Sequence, residues 1–93
     1  MTSKKRVVLI TGAESGIGKS TSKIFLDNGY KVICTYLKNN NNKNTKDIEY
    51  HQIDITKNKD WENLALYIKK KFKKIDVLVN SAGVRLSGNL ETP

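Results

Sequence analysis

Cysteine, proline, tryptophan, methionine and histidine each occur once in this chain of 93 residues. A lone cysteine, Cys34, excludes an intramolecular disulfide and a cysteine metal cluster, and its place in an apolar run marks it as a buried strand residue rather than a reactive thiol. Long hydrophobic runs are missing too. The longest aliphatic stretch, Val7 to Ile10, falls far short of the roughly 20 residues that span a bilayer. The N-terminal MTSKKR enters that stretch with no small-residue cleavage site, so no signal peptide is expected and a cytoplasmic protein is. Acidic residues are scarce, with 9 against 17 basic ones and a net charge of +8. Such an excess by itself suggests nucleic acid. Its distribution argues otherwise, because seven lysines against Asp60 and Glu62 between positions 57 and 74 supply +5 of the total. Lysines placed so solvate one helix face and favour its negative dipole end, so neither nucleic acid nor a membrane is expected as a partner.

What is present suits a small globular unit. Hydrophobic content of 38% and charged content of 28% fall near the globular range, and a chain of this length forms one domain that buries about 60 to 65% of its unfolded surface. Lys5–Thr11 (KRVVLIT) reads as a buried parallel strand running into a glycine turn. The segment Ile17–Asn28 reads as a helix, with Thr21, Ile24, Phe25 and Asn28 sharing a face with Ile17 and with Gly29 as a left-handed cap. Lys31–Tyr36 is a second strand and Ile48–Ile53 a weaker third. Between them the polar run NNNNKNTK reads as a surface loop that replaces or shortens a crossover helix. Trp61, Leu64, Ala65, Ile68 and Phe72 give Asn58–Phe72 the spacing of an amphipathic helix. A fourth strand, Ile75–Asn80, ends in a turn at Ser81, Ala82 and Gly83. This alternation specifies an α/β fold, a Rossmann-type doubly wound parallel sheet with strand order 3-2-1-4 and a ligand over the C-terminal ends of its central strands.

Residues 10 to 21, ITGAESGIGKST, hold two overlapping phosphate-binding patterns. From Gly12 the stretch is a glycine-rich dinucleotide turn with Gly12, Gly16 and Gly18. From Ala13 it is nearly a triphosphate loop, with Gly18, Lys19 and Ser20 as its G-K-[ST] and Ala13 where the leading glycine belongs. The triphosphate reading needs an acid at the end of a hydrophobic strand to help hold magnesium. Asp54 is the candidate, and it follows HQI, a poor strand end. The dinucleotide turn joins a strand to a helix whose N-terminus accepts a pyrophosphate, and that context favours it.

TGAESGIG at 11–18, Asp54 after the third strand and NSAG at 80–83 together resemble the short-chain dehydrogenase/reductase family, with 3-oxoacyl-carrier-protein reductases closest in character. The resemblance runs from about Lys5 to the C-terminus. It implies that Thr11 braces the turn, that Gly12, Gly16 and Gly18 admit the pyrophosphate, and that Ser15 and Ile17 donate to phosphate. By the same resemblance Asp54 binds the adenine amino group beside an Ile55 amide donor, and Asn80, Ala82 and Gly83 line the adenosine ribose. Ser81 departs from the commoner N-N-A-G. The cofactor that the resemblance implies is NADP or NAD. No acid stands between Asp27 and Asp47, where NAD-specific members carry one at the end of the second strand, and Lys38 offers a positive charge there, so NADP is favoured.

The same resemblance implies hydride exchange with a small carbonyl or alcohol substrate, carried out by a tyrosine, a lysine and a serine, in a homo-oligomer. Tyr67 and Lys71 match Y-x-x-x-K, but they precede NSAG, whereas the family's pair follows it, so they are read as helix-surface residues. No catalytic or metal-binding residue is assigned. Residues 1–93 are expected to be the N-terminal, cofactor-binding part of a single Rossmann domain without its catalytic half, and inactive alone. A non-catalytic dinucleotide-sensing module and a triphosphate-binding domain are the alternatives.

Overall fold

Five aliphatic and β-branched residues in succession, VVLIT, form β1 (Val7–Thr11), and all five are buried in a computed structural model that describes residues 5–38 and 40–81. Continuous burial is the mark of a strand covered on both faces. The chain continues through α1 (Gly16–Asp27), β2 (Lys31–Tyr36), β3 (Ile48–Gln52), α2 (Asn58–Phe72) and β4 (Val77–Asn80). The four strands form one parallel sheet in the order β3-β2-β1-β4, as the sequence implies. Val8 lies opposite both Val32 and Val77, and Thr11 lies opposite Asn80.

Pleating sends alternate side chains of each strand to opposite faces, which builds two cores. Val7, Leu9, Ile33 and Ile53 meet Leu64 and Ile68 of α2. Val8, Ile10, Val32 and Cys34 form the other core, against which Phe25 and Leu26 of α1 pack. One helix on each face makes the sheet doubly wound. No helix among the described residues is long and apolar enough to cross a membrane.

The inward face of α1 differs from the sequence expectation. Ile17 and Ile24 are 56% and 61% exposed, while Gly18 and Ser22 are buried. The helix approaches the sheet too closely for large side chains: a Cβ on Gly18 would lie 2.4 Å from the Gly12 carbonyl oxygen and 2.7 Å from Ala13 Cα. Ser22 fits because its hydroxyl donates to the Gly18 carbonyl at 2.7 Å and lies 3.4 Å from Cys34 Sγ. Burial raises the Cys34 thiol pKa, with Ser22 opposing weakly. The helix ends, as expected, at a left-handed glycine, Gly29, with φ 84°.

β1 and β4 each begin two residues later than the apolar pattern suggests, while β2 and β3 begin where it places them. Asp76 lies before β4, where its carboxylate accepts the Val7 amide at 2.7 Å and its own amide donates to the Val7 carbonyl at 2.8 Å. Between β2 and β3 the described residues form no helix. Asparagine side chains organise that loop instead: Asn40 bridges to Asn42, and Asn44 Oδ1 accepts the Tyr50 amide at 2.8 Å on the outer edge of β3. A loop bonded along this strand covers an edge that would otherwise invite pairing.

Glu49 on β3 is buried and draws four donors. Tyr67 Oη lies at 2.7 Å, His51 Nε2 at 3.0 Å, and Lys31 and Lys71 Nζ each at 3.1 Å. Burial pushes this carboxyl up, but the hydrogen bonds outweigh it and hold the pKa at about 2. Tyr67 and Lys71 therefore clamp α2 to the sheet.

Candidate functional site

The chain leaves β1 through Gly12, whose φ of 69° lies in the region that favours glycine. Thr35 of β2 secures the turn that follows: its carbonyl accepts the Ala13 amide at 2.9 Å and its hydroxyl the Gly12 amide at 3.3 Å. Ser15 caps α1, donating to the Gly12 carbonyl and accepting the Gly18 amide, both at 2.9 Å. First-turn amides such as those of Gly16 and Ile17 have no partner inside a helix, and α1 carries no acid in its first turn. A Cβ built on Gly16 meets nothing within 4 Å. The helix therefore presents an open, positively polarised end, which suits an anion.

Thr11 and Asn80 close one side of the turn. The Thr11 hydroxyl donates to Asn80 Oδ1 at 2.9 Å. Ser81 is buried, and its hydroxyl donates to the Thr11 carbonyl and lies 3.3 Å from that of Gly12. The serine that stands in place of the commoner asparagine is thus a cross-strand tie. Ala82 and Gly83 lie outside the described residues.

A cleft of about 560 Å³ opens beside this turn, lined by Gly12, Glu14, Ser15 and Ile17 at one end and by Asp54 and Ile55 at the other. Asp54 follows β3 by two residues. Its Oδ1 accepts the Thr56 hydroxyl at 2.6 Å and the Thr56 amide at 2.9 Å, which hold its carboxyl below the usual range. The first turn of α2 fixes this loop from behind. Asp60 Oδ2 accepts the Asp54 amide at 2.8 Å, and Trp61 Nε1 donates to the Ile55 carbonyl at 2.7 Å.

Lys38 lines a second hollow of about 360 Å³, with Lys19 and Asn40 to Asn42. Lys19, the lysine of the triphosphate-loop pattern, thus faces this hollow and is not among the residues lining the larger cleft. Tyr67 and Lys71 do not line that cleft either. Sequence reasoning missed Thr35, Asp60 and Trp61, and it missed that Glu14 reaches the end of β2, where its Oε2 accepts the Leu37 amide at 3.1 Å. No group of three or more potential metal-ligating side chains occurs among the described residues.

The short chain dehydrogenase family profile matches residues 6–92. An NAD-dependent glycerol dehydrogenase from Listeria innocua is 38% identical over 90 residues, covering 87% of this chain and 34% of that protein. An NADP-dependent 3-hydroxy acid dehydrogenase from Salmonella typhi is 33% identical over 85 residues, covering 86% and 34%. Among solved structures, a short chain dehydrogenase from Leptospira borgpetersenii with bound NAD+ matches with a TM-score of 0.77 at 27% identity, over 97% of this chain and 36% of that one. ElxO with NADPH bound matches with a TM-score of 0.76 at 36% identity, over 96% and 40%. The chain spans about a third of the length of the curated relatives it matches.

Proposed function

The chain belongs to the short-chain dehydrogenase/reductase family of oxidoreductases, and we propose that residues 1–93 are the cofactor-binding part of an enzyme that exchanges hydride with a small carbonyl or alcohol compound. The observation that carries this reading is the open N-terminus of α1 at Gly16, flanked by Ser15 and Ile17, which line the same cleft as Asp54. A dinucleotide fits it: the pyrophosphate meets the Gly16 and Ile17 amides and the Ser15 cap, and Gly12 and Gly18 keep the turn and helix close enough for that approach. Asp54 Oδ2 accepts the adenine amino group while the Ile55 amide donates beside it. Thr11 and Asn80, joined by their hydrogen bond, brace the turn from the side of β4. When bound, the nicotinamide supplies the hydride.

NADP is the favoured cofactor over NAD, because β2 ends without an acid of its own and Lys38 lies just beyond it. Tyr67 and Lys71 have no part in the chemistry, since their polar atoms are engaged with Glu49. The chain alone is inactive, and the protein to which it contributes is a cytoplasmic homo-oligomer. Titrating the chain with NADPH and with Mg·ATP tests the reading. Saturable NADPH binding is expected; preferential binding of Mg·ATP would replace it with the triphosphate-loop reading.

A further inference from the structure

We infer that Glu14 stands beside the position of the cofactor's ribose 2′ substituent and opposes a 2′-phosphate there, against the lysines that favour one. This rests on the dinucleotide reading above. Glu14 sits in the turn after β1, yet its carboxylate reaches the first amide beyond β2, that of Leu37, at 3.1 Å. Glu14 and Tyr36 line both the cleft that ends at Asp54 and the neighbouring hollow that holds Lys19 and Lys38. The carboxylate therefore stands at the junction of the two spaces, at the sheet position where dinucleotide folds distinguish their cofactors.

In such folds an acid about 20 residues beyond the glycine turn accepts a hydrogen bond from the ribose 2′-hydroxyl. Here Thr35 and Tyr36 at the end of β2, with Leu37 and Lys38 just beyond it, stand at that place, and the turn itself supplies the acid. A 2′-hydroxyl can donate to the Glu14 carboxylate. A 2′-phosphate cannot donate in its ionised form; it meets like charge and competes for the Leu37 amide. Lys38 and Lys19, on the hollow side of the same carboxylate, act in the opposite sense. Cofactor choice is then a contest between Glu14 and these lysines, which the acid-free end of β2 conceals in the sequence.

The test uses two ligands that differ in the 2′-phosphate alone, 5′-AMP and adenosine 2′,5′-bisphosphate, titrated into the 93-residue chain. Glu14→Gln keeps an amide oxygen to accept from Leu37 and removes the charge. It should tighten the bisphosphate roughly fivefold to tenfold, as for a partly exposed charge contact, and leave 5′-AMP within about twofold. Lys38→Met should shift the same ratio the other way without touching Glu14, which keeps the inference testable should the first variant melt early. An unchanged ratio in Glu14→Gln would reduce Glu14 to a tether between the turn and β2 and overturn the inference. Failure of the parent chain to bind either nucleotide would instead overturn the dinucleotide reading, and this inference with it.

Discussion

Trp61 donates its indole N–H to the backbone carbonyl of Ile55 across 2.7 Å, so the first turn of α2 holds the loop that ends the cleft. Asp60 adds a second tie, to the Asp54 amide. In this arrangement the Asp54 end of the cleft is set by residues that do not line it.

Trp61→Phe should therefore weaken 5′-AMP binding about threefold to tenfold, the cost of one lost hydrogen bond to a half-buried carbonyl. Binding of nicotinamide mononucleotide, which lacks the adenine, should not change. Titration of both ligands checks this, and equal losses would point to general unfolding rather than to the loop.

Gly18 and Gly16 look alike in the sequence and should respond oppositely. Gly18→Ala places a Cβ against the backbone of Gly12 and Ala13 and lies 3.0 Å from Ser81 Oγ. None of the backbone atoms can move without opening the turn, so a stability loss of about 1 to 3 kcal/mol is expected. Gly16→Ala meets nothing and should leave the melting temperature nearly unchanged. On the dinucleotide reading it should nonetheless weaken NADPH binding, since the added methyl would stand where that reading brings the pyrophosphate. Thermal melts and titrations of the two variants separate packing from binding.

The strands were legible because apolar runs bounded by glycine and polar residues read the same whatever surrounds them. β1, β2 and the order of the sheet follow from such runs. The orientation of α1 was not legible, because a hydrophobic pattern assigns Ile17 and Ile24 to the core, whereas close packing against the turn selects Gly18 and Ser22. The glycine turn could be found from spacing along the chain, and Asp54 from the family resemblance. Glu14, Thr35 and Ser81 could not, because each acts on a residue more than 20 positions away that only the folded sheet brings near.

Glu49 should dominate the acid limb of stability. Its pKa is about 2 in the folded chain against an ordinary 4.5, so the unfolded chain binds more protons between these values and stability rises with pH across that window. With its side chain 8% exposed, the shift is worth about 3 kcal/mol at neutral pH, lost as pH falls from about 4.5 to 2. Asp47, Asp54 and Asp76 are also lowered and contribute to the same limb. Glu49→Gln retains those three, so the difference between the two pH profiles isolates Glu49. The variant should be less stable at pH 7 and converge with the parent near pH 2. Parallel profiles would mean that the clamp works through packing of α2 rather than through charge.

Ser81 offers the last test, because it replaces a commoner asparagine and yet is buried with its hydroxyl on the Thr11 carbonyl. Thr11 is itself bound to Asn80, so the ends of β1 and β4 are joined twice within one turn. Ser81→Ala removes one of these joins and leaves a buried carbonyl without its partner, which costs about 1 to 3 kcal/mol. Because a Cβ already stands at position 81, no new clash with Gly18 arises. The consequence for binding should be indirect: a looser Gly12 would weaken NADPH while the preference between 5′-AMP and its 2′-phosphorylated form stays as in the parent. Chemical denaturation gives the stability change and the two titrations give the ratio. A full loss of folding in Ser81→Ala would show that the tie anchors β4 as a whole, and Ser81→Thr, which keeps the hydroxyl, should then restore it.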